Sequence, residues 1–128
     1  MYLIDLVCFD DLSVKQCRIE TEEAKDEFLV HCLFDERAVI GIGDSMFTAF
    51  QKLMDQLYSM HYGMNCQGAK QNAMQSAMAY ASDKIYLLTL GQQAMKKDLV
   101  SMFEPVELTM YCRSDEQLEY AQQWLASL

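Results

Sequence analysis

One amphipathic segment near the middle of the chain restricts the fold more than any other feature. From Met46 to Tyr58, the side chains of Met46, Phe47, Phe50, Leu53, Met54, Leu57 and Tyr58 recur at three- and four-residue spacing, the repeat of a single helix face. Asp44 or Ser45 can cap it, so the spacing predicts a helix over about residues 45–60. A helix so apolar on one side needs a surface to lie on, and the flanking sequence supplies strands.

Tyr2-Leu3-Ile4-Asp5-Leu6-Val7-Cys8-Phe9 is rich in strand formers. Asp10-Asp11 then gives a turn, and Val14-Lys15-Gln16-Cys17-Arg18-Ile19 alternates, which together read as a β-hairpin. Arg37 to Gly43 is short and β-branched, Lys84 to Leu90 is a strand ended by Gly91, and 99–103 and 107–112 are further strands separated by Pro105. Two more helices are expected. Thr21 can cap a helix over about 22–34, with Glu22 and Glu23 in its first turn and Ala24, Phe28, Leu29, His31 and Cys32 as its stripe. Ser114-Asp115-Glu116-Gln117 has capping-box spacing, and Leu118, Ala121, Trp124, Leu125 and Leu128 give a terminal helix its apolar face. Residues 62–83, with Gly63, Asn65, Gly68 and many small side chains, read as a strand plus loop or a short helix over 69–81. The sum is an α+β chain: an N-terminal β-hairpin and an antiparallel sheet of about five strands packed with three helices.

The chain has 128 residues, of which 52% are hydrophobic, enough for one domain over 1–128 with its own core. Its start, Met1-Tyr2-Leu3-Ile4-Asp5, lacks the basic opening of a secretory signal, and charged or amide residues interrupt every apolar run before membrane-spanning length. A cytoplasmic protein without a membrane partner is expected. Cys8, Cys17, Cys32, Cys66 and Cys112 are scattered and odd in number, with only His31 and His61 as imidazoles, so they read as reduced thiols and neither a metal nor a cofactor is expected.

Net charge is −9, and it is uneven. Before Met60 twelve acids face five bases, while the remainder is nearly neutral. Such a field repels phosphate backbones and attracts basic proteins, which argues against direct nucleic-acid binding. Catalytic patterns are thin. Gly41-Ile42-Gly43 precedes the central helix like a phosphate-binding turn, but the third glycine is absent and Asp44 would repel the anion. A small Cys/His enzyme or ligand-binding domain built on Cys66, His61 and Lys70 is one alternative. A homo-oligomer joined through the apolar face over 46–58 is another.

The second half carries a resemblance. Asn65-Cys66-Gln67-Gly68-Ala69-Lys70, Ser76-Ala77-Met78, Val100-Ser101-Met102-Phe103-Glu104-Pro105 and the ending Trp124-Leu125-Ala126-Ser127-Leu128 resemble a group of small bacterial proteins. That group shows Cys-Asn-Gly followed by Arg or Lys, Ser-Gly-Met, Phe-x-Pro and a terminal Trp-Leu helix; here Gln67 and Ala77 replace the usual Asn and Gly. In size and acidity the group is similar to immunity proteins of contact-dependent growth inhibition and other polymorphic toxin systems. The resemblance implies no catalysis, but an inhibitor that covers the active site or substrate groove of a cognate basic toxin domain, a nuclease for example. Expected partner contacts are Asp10, Asp11, Glu20, Glu22, Glu23, Asp26, Glu27, Asp35 and Glu36, with a second candidate surface at Asn65, Cys66, Gln67, Lys70, Met74 and Met78.

Overall fold

The computed structural model describes residues 1–128. Four consecutive antiparallel strands open the chain: β1 (Tyr2–Cys8), β2 (Val14–Ala24), β3 (Glu27–Phe34) and β4 (Arg37–Gly43). The amphipathic helix α1 (Met46–Ser59) follows, and β5 (Tyr62–Met64) then returns to pair with β1, giving the sheet order β4-β3-β2-β1-β5. Downstream, β6 (Ala73–Gln75), β7 (Lys84–Leu87) and β8 (Leu99–Ser101) make a three-stranded sheet, and α2 (Ser114–Ala126) closes the chain.

The strand pattern follows from period-two burial. Ile4 and Leu6 on β1, Cys17 and Ile19 on β2, and Phe28, Val30, Cys32 and Phe34 on β3 all point to the same buried face. Against it lies α1, with Phe50, Leu53 and Leu57 fully buried. The helix presses so closely on β4 that a Cβ added to Gly41 would stand 2.0 Å from the Ala49 carbonyl oxygen. Gly41 and Gly43 therefore serve helix–sheet contact, not phosphate binding. At the open edge of β4, the Gln56 amide donates to the Ile40 carbonyl oxygen at 2.7 Å and satisfies part of that edge.

Two α-helices are present, where three were expected, together with three short 3-10 turns. The missing one is the helix over 22–34. Thr21 lies in β2 opposite Val30, and Lys25-Asp26 is the two-residue turn between β2 and β3. Phe28, Val30, Cys32 and Phe34 satisfy a strand repeat as well as Phe28, Leu29, His31 and Cys32 satisfy a helical one; long-range pairing with β2 and β4 settles the contest. No strand forms at 107–112 either, where the chain has no regular structure and bends at Thr109 after an isolated bridge between Cys66 and Pro105. Residues 62–83 are neither loop nor one helix: they alternate β5, a 3-10 turn, β6 and another 3-10 turn.

α2 begins where expected but is capped one residue earlier. Glu116 accepts the Arg113 N–H, while Ser114 donates both its N–H and its hydroxyl to the Asp55 carboxylate on α1.

Candidate functional site

The antiparallel meander sorts the predicted acids to opposite ends of the sheet. The β1–β2 and β3–β4 turns share one end, which holds Asp10, Asp11, Asp35 and Glu36. The β2–β3 turn lies at the other, with Glu22, Glu23, Asp26 and Glu27, and Glu20 sits between on the outer face. Eight of the nine carboxylates thus form two groups of four, with Glu20 between them, and not one patch.

These groups differ in what neutralises them. At the first end, Lys15 pairs with Asp35, and His61 lies 3.0 Å from Asp10. Ser13, through its hydroxyl and N–H, holds the Asp11 carboxyl below its ordinary range. Arg37 lies over the Phe34 ring at that end, and Arg113 lies over Tyr58. At the second end, Glu23, Asp26 and Glu27 have no ion-pair partner. There they line a cleft of about 270 Å³ together with Asp44, and Phe28 and Tyr80 meet edge to face beside them at 6.0 Å. The backbone positions that cleft through the Met46 N–H, which donates to the Tyr80 carbonyl at 2.8 Å and ties the 76–80 turn to the start of α1. Asp44 is visible in sequence as the acid before the cap; Tyr80 arrives only by tertiary contact.

The predicted loop residues divide differently. Cys66 is fully buried, and Asn65 accepts a hydrogen bond from the Tyr111 hydroxyl. Gln67 and Gly68 donate their N–H groups to the Glu104 and Met102 carbonyls, and the Gln117 amide donates to the carbonyls of Gly68 and Lys70 at 2.9 Å each. Two of the segments that carry the resemblance, 65–70 and 100–105, therefore meet inside the molecule, and Gln117 ties the first of them to α2. Gly68 is needed there for close approach, since a Cβ would stand 2.9 Å from Met102 and Phe50. Of the six loop candidates, Met74 is half-buried beside α2, and Met78 is 99% exposed.

Cys66, His61 and Lys70 do not converge. His61 is exposed and lines a cavity with Phe9, Asp10, Tyr58, Ser59 and Arg113, which includes neither of the other two. Burial pushes the Cys66 thiol up to about 12, the wrong direction for a nucleophile. Cys112 is likewise pushed to about 12, by burial and by the carboxylates of Glu116, Asp55 and Asp115. Cys32 is raised by a hydrogen bond with the neighbouring Cys17 thiol and by burial. His31 lies on the outer face, 3.2 Å from Glu22, and Cys32 points into the core. No group of three or more His, Cys, Asp or Glu side chains is arranged to hold a metal ion. No helix is long and apolar enough to cross a membrane.

A groove of about 430 Å³ runs between α1 and α2, and sequence reasoning did not foresee it. Phe47 and Gln51 of α1, Ala73 and Met74 of β6, and Leu118 and Ala121 of α2 line it. The signal was available in part: Leu118 belongs to the predicted apolar face of the terminal helix, yet it is 60% exposed because α2 rests on the molecule mainly through Gln117 and Trp124. No protein-family model matches the chain, and none of the curated proteins matches it.

Proposed function

We propose that this protein is an immunity-type inhibitor that binds a basic toxin domain, directing the uncompensated acids at the β2–β3 end of its sheet onto the toxin's active site or substrate groove. One observation carries the reading: Glu23, Asp26, Glu27 and Asp44 share a single cleft and none of them is ion-paired, although Lys25 lies in the same turn, whereas at the opposite end Lys15 pairs with Asp35 and His61 contacts Asp10. Clustered like charge costs the free protein stability, and a partner bearing Lys and Arg offsets that cost by supplying counter-charge on binding. Phe28 and Tyr80 add aromatic surface on which an arginine or lysine side chain can rest. This narrows the nine expected acids to the second group, with Asp44 added.

Cys66 is buried and the cavity at His61 includes neither Cys66 nor Lys70, which favours the inhibitor reading over a Cys/His enzyme built on those three residues. The apolar face of α1 lies against the sheet, so it is spent on the core and does not support an oligomer through residues 46–58.

The test is protection of cells expressing the toxin domain encoded beside this gene. The wild-type chain should restore growth, and the folded triple variant Glu23→Lys, Asp26→Lys, Glu27→Lys should not. Full protection by that variant would overturn the assignment of the interface.

A further inference from the structure

The α1–α2 groove and the acidic cleft are neighbours across the first turn of α1. Ser45, the N-cap of that helix, donates its hydroxyl to the Gln75 side-chain oxygen at 2.6 Å, and Gln75 lines the groove. Asp44 and Tyr80, which line the cleft, flank the same turn: Asp44 precedes the cap, and Tyr80 accepts the Met46 N–H. Phe47, one residue further on, forms part of the groove. An acidic surface and an apolar one thus lie side by side.

The chemistry of the groove restricts what can occupy it. Its only ionisable lining residue is Asp115, so a cation on the occupant is matched there and an anion is not. Leu118, Ala121 and Leu125 fall at i, i+3 and i+7 along α2, one continuous stripe, and Leu118 and Leu125 are more than half exposed. Small side chains at Ala73 and Ala121 allow a close approach of backbone. A groove whose α2 wall is apolar at helical spacing, whose α1 wall gives Phe47 and Gln51, and which carries Asp115 as its one charge is complementary to an amphipathic helix with basic flanks.

We infer that the groove receives an amphipathic helix of the basic partner, its apolar side chains against Phe47, Met74, Leu118 and Ala121 and its lysines or arginines against Asp115 and the adjoining acidic cleft. This rests on the proposed function and deepens it: the acids steer the partner, and the groove holds it. The two contributions separate by salt, because apolar burial persists when screening removes the steering.

The experiment titrates the full chain with two synthetic lysine–leucine peptides of about 18 residues, one amphipathic as a helix and one of the same composition in scrambled order. Amide shifts are followed by NMR. Binding of the amphipathic peptide should be about tenfold tighter than that of the scrambled one at high salt, with shifts centred on Phe47, Met74, Leu118 and Ala121. Leu118→Glu, at an exposed position that leaves folding intact, should erase the difference, and Leu118→Ser should reduce it. Equal affinity of both peptides, with shifts confined to the Glu23–Glu27 turn, would overturn the groove inference and leave the acidic interface standing. Absence of salt-dependent binding by either peptide would count against the underlying functional reading instead. A dimer in light scattering that Leu118→Glu converts to monomer would assign the groove to a second copy of the chain and also overturn the inference.

Discussion

Single residues carry two kinds of information here, backbone strain and thiol burial. Asp35 and Glu36 form the two-residue β3–β4 turn, with φ of 50° and 59°. A turn with both central residues left-handed is the type that favours Gly in its second position, and a glutamate there costs about 1 kcal/mol relative to glycine. Glu36→Gly should therefore stabilise the protein by about 1 kcal/mol in urea unfolding, with an unchanged dependence on denaturant concentration. Among the cysteines, Cys8 alone is not buried. Native protein should accordingly react with a thiol reagent at Cys8 only, and at all five cysteines once unfolded. The folded-state values of Cys66 and Cys112, about 12 against an ordinary value of 9.0, also set a pH dependence. Between those limits the unfolded chain loses thiol protons that the folded chain keeps, so the thiols' contribution to stability should be constant below about pH 9 and stability should fall as pH rises toward about 12. Constant stability across that window would show that the thiols are solvated.

Elements were legible in sequence to the extent that local pattern and tertiary pairing agree. The helix at 46–59 was plain because seven apolar residues and a capping serine all indicate the same period. The hairpin β1–β2 was plain because its turn is acidic and its strands alternate. Residues 22–34 were misread because an acid-rich start beside a threonine imitates a helix N-terminus, and only the cross-strand partners Phe28↔Gly43 and Ile19↔Cys32 show otherwise. The cleft at this end was half-visible for the same reason: Glu23, Asp26 and Glu27 were named, but their meeting with Asp44 and Tyr80 depends on the strand order. The groove was hidden because it depends on how little of α2 is buried. Gln117, 2% exposed, holds that helix through Gly68, Lys70 and Gln51. Gln117→Ala would leave the buried Gly68 carbonyl without a donor and the Gln51 amide without its acceptor, while Lys70 keeps the Ala73 N–H, at a cost of about 2 kcal/mol. Hydrogen exchange should then show the α2 amides opening well before the core of β1–β3. Uniform exchange across both regions would mean that α2 is anchored elsewhere.

On the scale of the whole molecule, the decisive property is the polarity of the charge. A net −9 spread evenly would aid solubility and nothing more; here Lys15 and His61 contact two of the acids at one end of the sheet, whereas Glu23, Asp26, Glu27 and Asp44 at the other are bare of ion pairs, with Lys25 the one cation in their turn. The bare end adjoins an apolar groove, so one face of the molecule combines long-range attraction with short-range adhesion. The most direct measurement is the association rate of the full chain with the basic toxin domain encoded beside it, followed by stopped flow at about 50 mM and about 500 mM salt. The rate should fall at least about tenfold across that range, and reversing Glu23, Asp26 and Glu27 should abolish the salt dependence, whereas reversing Asp10 and Asp11 should leave most of it. A rate indifferent to salt, or equal losses from reversing either end, would contradict the account.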